Sequence, residues 1–199
     1  MRTLVVTAIT SLDGFVAGPG GDLVGMPFDE GFNVYALERI RAAGTLLAGR
    51  QTYEEFRSYW PAVADDPAQD ERQREIAREH DRLEKVVVSD SLVIEPGAPW
   101  ADITRVVPRA DAAATVAELT AGDGGDVLAF GSFRTWNPLL VAGLVDELHV
   151  LVGPALLGAG MPLLAEAALN GTGRVPLRLL EARQLADSSL VLHRYAAQG

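Results

Sequence analysis

The chain has 199 residues, of which 48% are hydrophobic and 22% charged, with a formal net charge of −10 and no cysteine. This composition is typical of a globular domain and excludes disulfides, thiolate metal sites and cysteine nucleophiles. Nucleic-acid binding depends on clustered Lys and Arg, so the acidic balance predicts no nucleic-acid partner. No apolar run reaches the ~20 residues that cross a bilayer, and no signal-peptide pattern opens the chain. We therefore expect a single domain over 1–199, located in the cytoplasm and not in a membrane.

The predicted elements alternate between strands and helices. Apolar runs rich in β-branched residues predict strands over 3–10, 45–48, 85–89, 103–107, 127–130 and 145–152. Helical spacing and capping signals predict helices over 30–42, from Arg50, from Asp66-Pro67 through Glu79, from Asp111 to Thr120 and from Gly131 to Gly143. Two further apolar runs near the end of the chain, over 177–182 and 190–195, predict an antiparallel hairpin. The chain should thus be an α/β protein, with helices on both faces of a mixed, mostly parallel sheet.

An apolar strand, a glycine and a helix start follow one another twice, at 47–52 and at 128–132. Ligands gather at the carboxyl ends of the strands of an open sheet, and the N–H groups of a helix N-terminus favour anions there. Arg50 would offer a guanidinium to a phosphate such as the one that distinguishes NADPH from NADH, and Thr52 a hydroxyl. Alternatively, the glycines only permit tight turns. Neither a G-x-G-x-x-G fingerprint nor a P-loop is present.

Several segments occur in an order that is typical of one superfamily. They are Ser11–Ala17, Leu47–Tyr53, Val86–Ser89, Gly131-Ser132, Gly143–Leu148 and Gly153–Gly158. On these segments the chain resembles the dihydrofolate reductase-like superfamily, in particular the branch that contains the C-terminal reductase domain of the riboflavin-pathway deaminase/reductase. The resemblance spans nearly the whole chain. It implies a three-layer fold, an NADPH cofactor and a homodimer.

The resemblance also implies which residues contact the cofactor. Gly49, Arg50 and Thr52 would meet the adenosine phosphate and the pyrophosphate. Ser89 would lie at the adenosine end, and Gly131 and Ser132 would donate N–H groups to the pyrophosphate. The backbone near Ile9 and Val16 would hold the nicotinamide amide. All of these residues are expectations carried over by position.

The resemblance also implies that Asp13 and the stretch 28–33, which includes Asp29, face the substrate. Asp13 would make a polar contact or relay a proton, and Phe28 would contact a flat ring. True dihydrofolate reductases supply a carboxylate at the position of Asn33, and an amide cannot protonate or pair as a carboxylate does. Folate reduction is therefore not expected, unless a loop shift brings Asp29 or Glu30 to that place.

Two hypotheses follow from these residues. The first is an NADPH-dependent reductase that transfers a hydride to a small pyrimidine- or pterin-like heterocycle, such as 5-amino-6-(5-phosphoribosylamino)uracil in riboflavin biosynthesis. The second is a non-catalytic nucleotide- or ligand-binding relative that kept the fold but lost the acidic substrate residue.

Other residues favour structural interpretations. The three histidines lack metal-ligand spacing, so we expect no metal site. His80 should lie on a solvated helix, whereas His149 and His193 should be packed or edge residues of strands. Pro138 should kink the helix after Ser132 or delay its start, with Asn137 as the cap.

Overall fold

The computed structural model describes residues 1–23, 26–166 and 173–197. Within these ranges the strands are β1 (Leu4–Thr10), β2 (Phe15–Ala17), β3 (Ala43–Gly49), β4 (Glu84–Val88), β5 (Thr104–Val107), β6 (Asp126–Phe130), β7 (Glu147–Val152), β8 (Met161–Pro162), β9 (Leu177–Gln184) and β10 (Val191–Ala197). The helices are α1 (Glu30–Ala42), α2 (Arg50–Val63), α3 (Glu71–Arg82), α4 (Ala112–Ala121) and α5 (Phe133–Val141).

All strands except β2 and β8 belong to a mostly parallel mixed sheet, which ends in an antiparallel hairpin. The predicted fold class is therefore confirmed. Among the described residues, no helix combines the length and the apolar character needed to cross a membrane.

The chain divides into two compact units, of which the first comprises Met1–Leu4 and Asn33–Ser132. Its strands follow the order β5-β4-β3-β6, and every adjacent pair is parallel. The carboxyl ends of these strands therefore lie at one edge, where Gly49 is the last residue of β3 and Gly131 follows β6. Behind that edge, Tyr53 and Trp100 pack into a buried apolar cluster.

The second unit comprises Val5–Phe32 and Phe133–Gly199. Here β1 pairs in parallel with β7, and β10 pairs antiparallel with both β7 and β9. The pairing of β10 with β9 shifts register between Arg194 and Tyr195. The short strands β2 and β8 form a separate antiparallel pair.

The start of α3 differs from the sequence prediction. Asp70, and not Asp66, caps this helix, because the carboxylate of Asp70 accepts the N–H of Gln73 at 2.8 Å. Asp66 instead accepts the N–H of Ala68 at 2.9 Å and closes a turn before the helix. An Asp-Pro pair favours both a helix start and a turn, so the sequence signal was ambiguous at this point.

The start of α5 also corrects the prediction. The helix begins at Phe133, and Asn137 lies inside it rather than capping it. The buried side chain of Asn137 donates to the carbonyl of Leu163 at 3.1 Å and accepts the N–H of Ala165 at 2.9 Å. Pro138 is accommodated within the helix, where it leaves the carbonyl of Arg134 without its usual N–H donor.

His80 is buried, contrary to the prediction of a solvated position. Its ring stacks on Trp60 and Trp100, with ring centroids 4.9 and 6.1 Å away. The sequence of α3 is mostly polar, but the helix is amphipathic, and its buried face carries Ile76, Ala77 and His80. His149, in contrast, is a packed residue of β7, as predicted.

Candidate functional site

The N-terminus of α2 presents backbone N–H donors at the end of β3. Gly49 ends β3 in an extended conformation, and no side chain in the described ranges caps the helix, so its first N–H groups have no side-chain acceptor there. The first turn, which starts with Arg50-Gln51-Thr52, contains no acidic residue that would neutralise the positive end of the helix dipole. These N–H groups can therefore donate hydrogen bonds to a phosphate.

The second predicted junction lies beside the first. Gly131 and Ser132 both adopt left-handed backbone conformations, with φ of 55° and 52°. The hydroxyl oxygen of Ser132 accepts the N–H of Gly49 at 3.0 Å. A Cβ added to Gly131 would lie 3.7 Å from the hydroxyl oxygen of Thr52. Four of the predicted cofactor residues are thus brought together, because β3 and β6 are parallel neighbours.

The Arg50 side chain extends along the same edge of the first unit. Its Nε donates to Glu54 at 2.9 Å and its Nη1 donates to the hydroxyl of Ser91 at 3.1 Å. The side chain is about half exposed, at 49%. The guanidinium is therefore fixed near the loop that follows β4 while remaining accessible to a ligand.

Ser89 shapes the loop that holds Arg50. This serine is buried, and its hydroxyl oxygen accepts the N–H groups of Ser91 and Leu92 at 3.2 and 3.0 Å. Its own N–H donates to the carbonyl of Val107, the last residue of β5. Ser89 thus orders the turn, and Ser91 contacts the guanidinium.

Asp13, in the second unit, anchors a loop. Its carboxylate accepts the hydroxyl of Ser11 at 2.6 Å and the N–H groups of Leu157 and Gly158, the latter at 2.7 Å. The Ser11 hydrogen bond, followed by those of Gly158 and Leu157, lowers the pKa of Asp13 to about 2. Asp13 stays ionised at neutral pH, which favours an orienting role over proton transfer.

Asp29 joins α1 to the turn of the terminal hairpin within the second unit. One carboxylate oxygen accepts the N–H of Phe32 at 3.0 Å as a helix cap, and the other accepts the hydroxyl of Ser188 at 2.8 Å. A Cβ on Gly31 would lie 2.6 Å from the Cβ of Ser188. Both oxygens of Asp29 therefore have structural partners.

Phe28 and Asn33 differ in their surroundings. Phe28 is 52% exposed and packs edge-on against Phe32, with 5.3 Å between the ring centroids. Asn33 is half-buried in the first turn of α1, and its amide makes no hydrogen bond with any residue the structure describes. Each offers a surface that a heterocyclic ligand can use: an aromatic face and an amide.

The two residues expected at the nicotinamide end lie in strands of the second unit. Ile9 pairs with Leu151 across β1 and β7. Val16 is the central residue of β2, between two positions that pair with β8. Their role in binding stays a prediction. In the three described ranges, no cluster of three or more His, Asp or Glu side chains could hold a metal ion.

Comparison with known proteins decides the family. Residues 2–191 match the model of the RibD C-terminal domain family. The chain belongs to that family. It is 23% identical over 188 residues to the uncharacterized protein YyaP of Bacillus subtilis (strain 168), covering 94% of this chain and 90% of that protein.

Solved structures share the RibD C-terminal fold. A riboflavin biosynthesis protein from Shewanella sp. PV-4 has a TM-score of 0.68 at 23% identity, and each chain is fully covered. A diaminohydroxyphosphoribosylaminopyrimidine deaminase/5-amino-6-(5-phosphoribosylamino)uracil reductase from Thermotoga maritima has a TM-score of 0.65 at 13% identity. The present chain is covered to 99% but spans only 57% of that protein. At these identities the likeness shows the fold alone, while the family suggests an oxidoreductase.

Sequence reasoning missed two partners of Arg50 in this RibD C-terminal domain. Glu54 could have been found, because its i,i+4 spacing from Arg50 on a predicted helix is typical of an ion pair. Ser91 could not, because its contact depends on how the loop after β4 turns.

Proposed function

We propose that the protein is an NADPH-dependent reductase that transfers a hydride to a small substrate containing a pyrimidine-like heterocycle. The observation that carries this proposal is the meeting of two strand-to-helix junctions, in which Gly49 and Thr52 lie against Ser132 and Gly131. Such a cluster of backbone N–H and hydroxyl groups suits a pyrophosphate.

The chemistry of this donor set fits the cofactor. The uncapped start of α2 and the hydroxyls of Thr52 and Ser132 would hold the pyrophosphate, and the Arg50 guanidinium would hold the additional phosphate of NADPH. When bound, the cofactor supplies the hydride, and the chain supplies binding, orientation and the exclusion of water. These local donors also offset the repulsion that a net charge of −10 imposes on an anion.

The substrate class rests on features of each unit by itself. The exposed ring of Phe28 can stack on a flat heterocycle. The Asn33 amide offers both a donor and an acceptor, which complement the carbonyl and N–H groups of a pyrimidine. A carboxylate, which would pair with a pterin, is absent from position 33. The name of the Thermotoga maritima relative, which includes a uracil reductase, favours the same class for this chain.

The second candidate is a non-catalytic nucleotide-binding relative. Asn33 supports it, because an amide cannot donate the proton that a carboxylic acid can supply. In this case the chain would hold a nucleotide and leave it unchanged.

Turnover separates the two candidates. We expect 5-amino-6-(5-phosphoribosylamino)uracil to cause loss of the near-ultraviolet absorbance of NADPH, whereas dihydrofolate causes none. A nonphosphorylated analogue of the pyrimidine is the matched control for the ribose phosphate. Tight binding of NADPH without oxidation, over a broad panel of pyrimidines and pterins, would instead support the binding relative.

The homodimer and the cytoplasmic location belong to the same proposal. Sedimentation equilibrium across a range of protein concentrations tests the homodimer. A mass that stays at that of one chain would contradict it.

A further inference from the structure

Glu54 forms an ion pair with Arg50, whose guanidinium the proposed function assigns to a phosphate. Its carboxylate lies 2.9 Å from Arg50 Nε, one helical turn further along α2. Both side chains are partly exposed, at 49% for Arg50 and 38% for Glu54. An incoming anion therefore meets an ion pair and not an isolated cation.

The geometry of arginine makes this pairing consequential. A guanidinium has two edges of parallel N–H groups, the Nε/Nη2 edge and the Nη1/Nη2 edge, and a phosphate binds best to a whole edge. Glu54 takes Nε and Ser91 takes Nη1, while Nη2 has no partner in the described part of the chain. A phosphate that uses either edge must therefore share it with one of these residues.

The two neighbours respond differently to a phosphate. The Ser91 hydroxyl can rotate and donate its own hydrogen to a phosphate oxygen, so it can remain in place. The Glu54 carboxylate can only accept hydrogen bonds, and its charge repels the phosphate. Glu54 therefore competes with the ligand, whereas Ser91 can assist it.

The loop that carries Ser91 is itself held in place. The N–H of Ser91 donates to Ser89, and the adjacent Asp90 accepts the N–H of Arg109 at 2.9 Å and pairs with its guanidinium at 3.2 Å. These contacts fix Ser91 at the end of β4. Arg50 is thus held between a fixed hydroxyl and a carboxylate on its own helix.

We propose that Glu54 determines cofactor selectivity by competing for Arg50 with the phosphate at the adenosine 2′ position. This inference rests on the proposed function, because it takes Arg50 as the group that meets this phosphate. Glu54 lowers the affinity for a ligand that has the 2′ phosphate and leaves the affinity for a ligand without it nearly unchanged. The chain consequently distinguishes NADPH from NADH less strongly than Arg50 alone would allow.

Glu54→Gln is the variant that tests this competition. It removes the charge and keeps an acceptor oxygen for Arg50. Glu55→Gln is the matched control, because Glu55 accepts from Gln51 at 3.0 Å in the same i,i+4 arrangement one residue further along the helix. Both variants change the net charge of the chain equally. Only the first alters the partner of Arg50.

Calorimetric titration with adenosine 2′,5′-bisphosphate and with adenosine 5′-monophosphate measures the effect without any catalytic step. At low salt, we expect Glu54→Gln to bind the bisphosphate about fivefold tighter and the monophosphate within about twofold of the parent. Glu55→Gln should stay within about twofold for both ligands. Added salt should reduce the gain of Glu54→Gln, because the effect is electrostatic.

The possible results distinguish a failure of this inference from a failure of the proposed function. Equal affinities of Glu54→Gln and Glu55→Gln for the bisphosphate, or weaker binding by Glu54→Gln, overturn the competition while Arg50 keeps its role. If both the parent and Glu54→Gln bind the bisphosphate no better than the monophosphate, the role of Arg50 is contradicted, and the competition fails with it. Melting curves of both variants establish that the fold is retained.

Discussion

The hydroxyl oxygen of Ser132 accepts the backbone N–H of Gly49 at 3.0 Å, and so connects the end of β3 to the turn that follows β6. Ser132 makes this contact from a left-handed conformation, with φ of 52°. Non-glycine residues adopt this conformation at a cost, and such strain clusters at functional sites.

Substitution of Ser132 separates the hydrogen bond from the strain. Ser132→Ala should lower the free energy of unfolding by about 1–2 kcal/mol, because it loses the bond and keeps the strained φ. Ser132→Gly also loses the bond but relieves the strain, so it should be about 1 kcal/mol more stable than Ser132→Ala. Urea unfolding measures both values. Equal stabilities of the two variants would contradict the strain argument.

Asp13 should control the loop at Leu157 and Gly158. Because hydrogen bonds depress the pKa of Asp13 to about 2 from its usual 3.8, its stabilisation is complete above about pH 4 and is lost as the pH falls towards 2. Hydrogen exchange should show faster opening of these two amides in Asp13→Asn at neutral pH. In the parent, the same opening should appear only in acid.

Asp29→Asn is the control for this experiment, because it removes a carboxylate of the second unit that contacts neither amide. It should leave exchange at Leu157 and Gly158 unchanged. If Asp13→Asn also leaves it unchanged, Asp13 does not anchor the loop.

Gly31 should not tolerate a side chain. An added Cβ would collide with the carbonyl oxygen of Ala186 and lie 2.6 Å from the Cβ of Ser188. Relief requires backbone movement, so Gly31→Ala should cost about 1–3 kcal/mol of stability. Gly122→Ala is the control, because its φ of −74° suits alanine and the nearest atom would lie 3.4 Å away. Equal melting temperatures of Gly31→Ala and Gly122→Ala would contradict the close packing around Gly31.

His80 should make the protein less stable in mild acid. Burial, followed by the charge of Lys85, lowers the pKa of His80 to about 3 from 6.5. The unfolded chain therefore binds a proton between these values and the folded chain does not, so stability falls as the pH drops through this window. The slope is about 1.4 kcal/mol per pH unit.

His80→Phe keeps an aromatic ring beside Trp60 and Trp100 and removes the titrating group. Between about pH 7.5 and pH 5 the parent should lose about 2 kcal/mol more than this variant. Ile76→Val, on the same buried face, should keep the dependence of the parent. Parallel losses in the parent and His80→Phe would exclude His80 as the cause.

The parts of this protein that could be predicted from sequence are local. The run from Leu47 through Gly49 into Arg50 predicted a strand, a turn and a helix start, because apolar runs, glycine and helix spacing act over a few residues. Because β3 and β6 are parallel neighbours in the sheet, the junctions at their carboxyl ends meet, and Gly131 lies near Thr52.

The parts that could not be predicted depend on contacts distant in sequence. Asn137 was expected to cap α5, but it bonds to residues 163 and 165. Asp29 caps α1 as its residue type allows, yet its partner Ser188 lies 159 positions away. The burial of His80 depends on tryptophans from two other segments. The residue pattern within a short segment does not specify contacts between residues that are distant in sequence.

The central claim is that Arg50 meets the phosphate that distinguishes NADPH from NADH. The most direct measurement is a fluorescence titration of the parent and of Arg50→Ala with both reduced cofactors. We predict that the variant loses about tenfold or more in affinity for NADPH and changes little for NADH. Equal losses for the two cofactors, or unchanged binding of NADPH, would contradict this account.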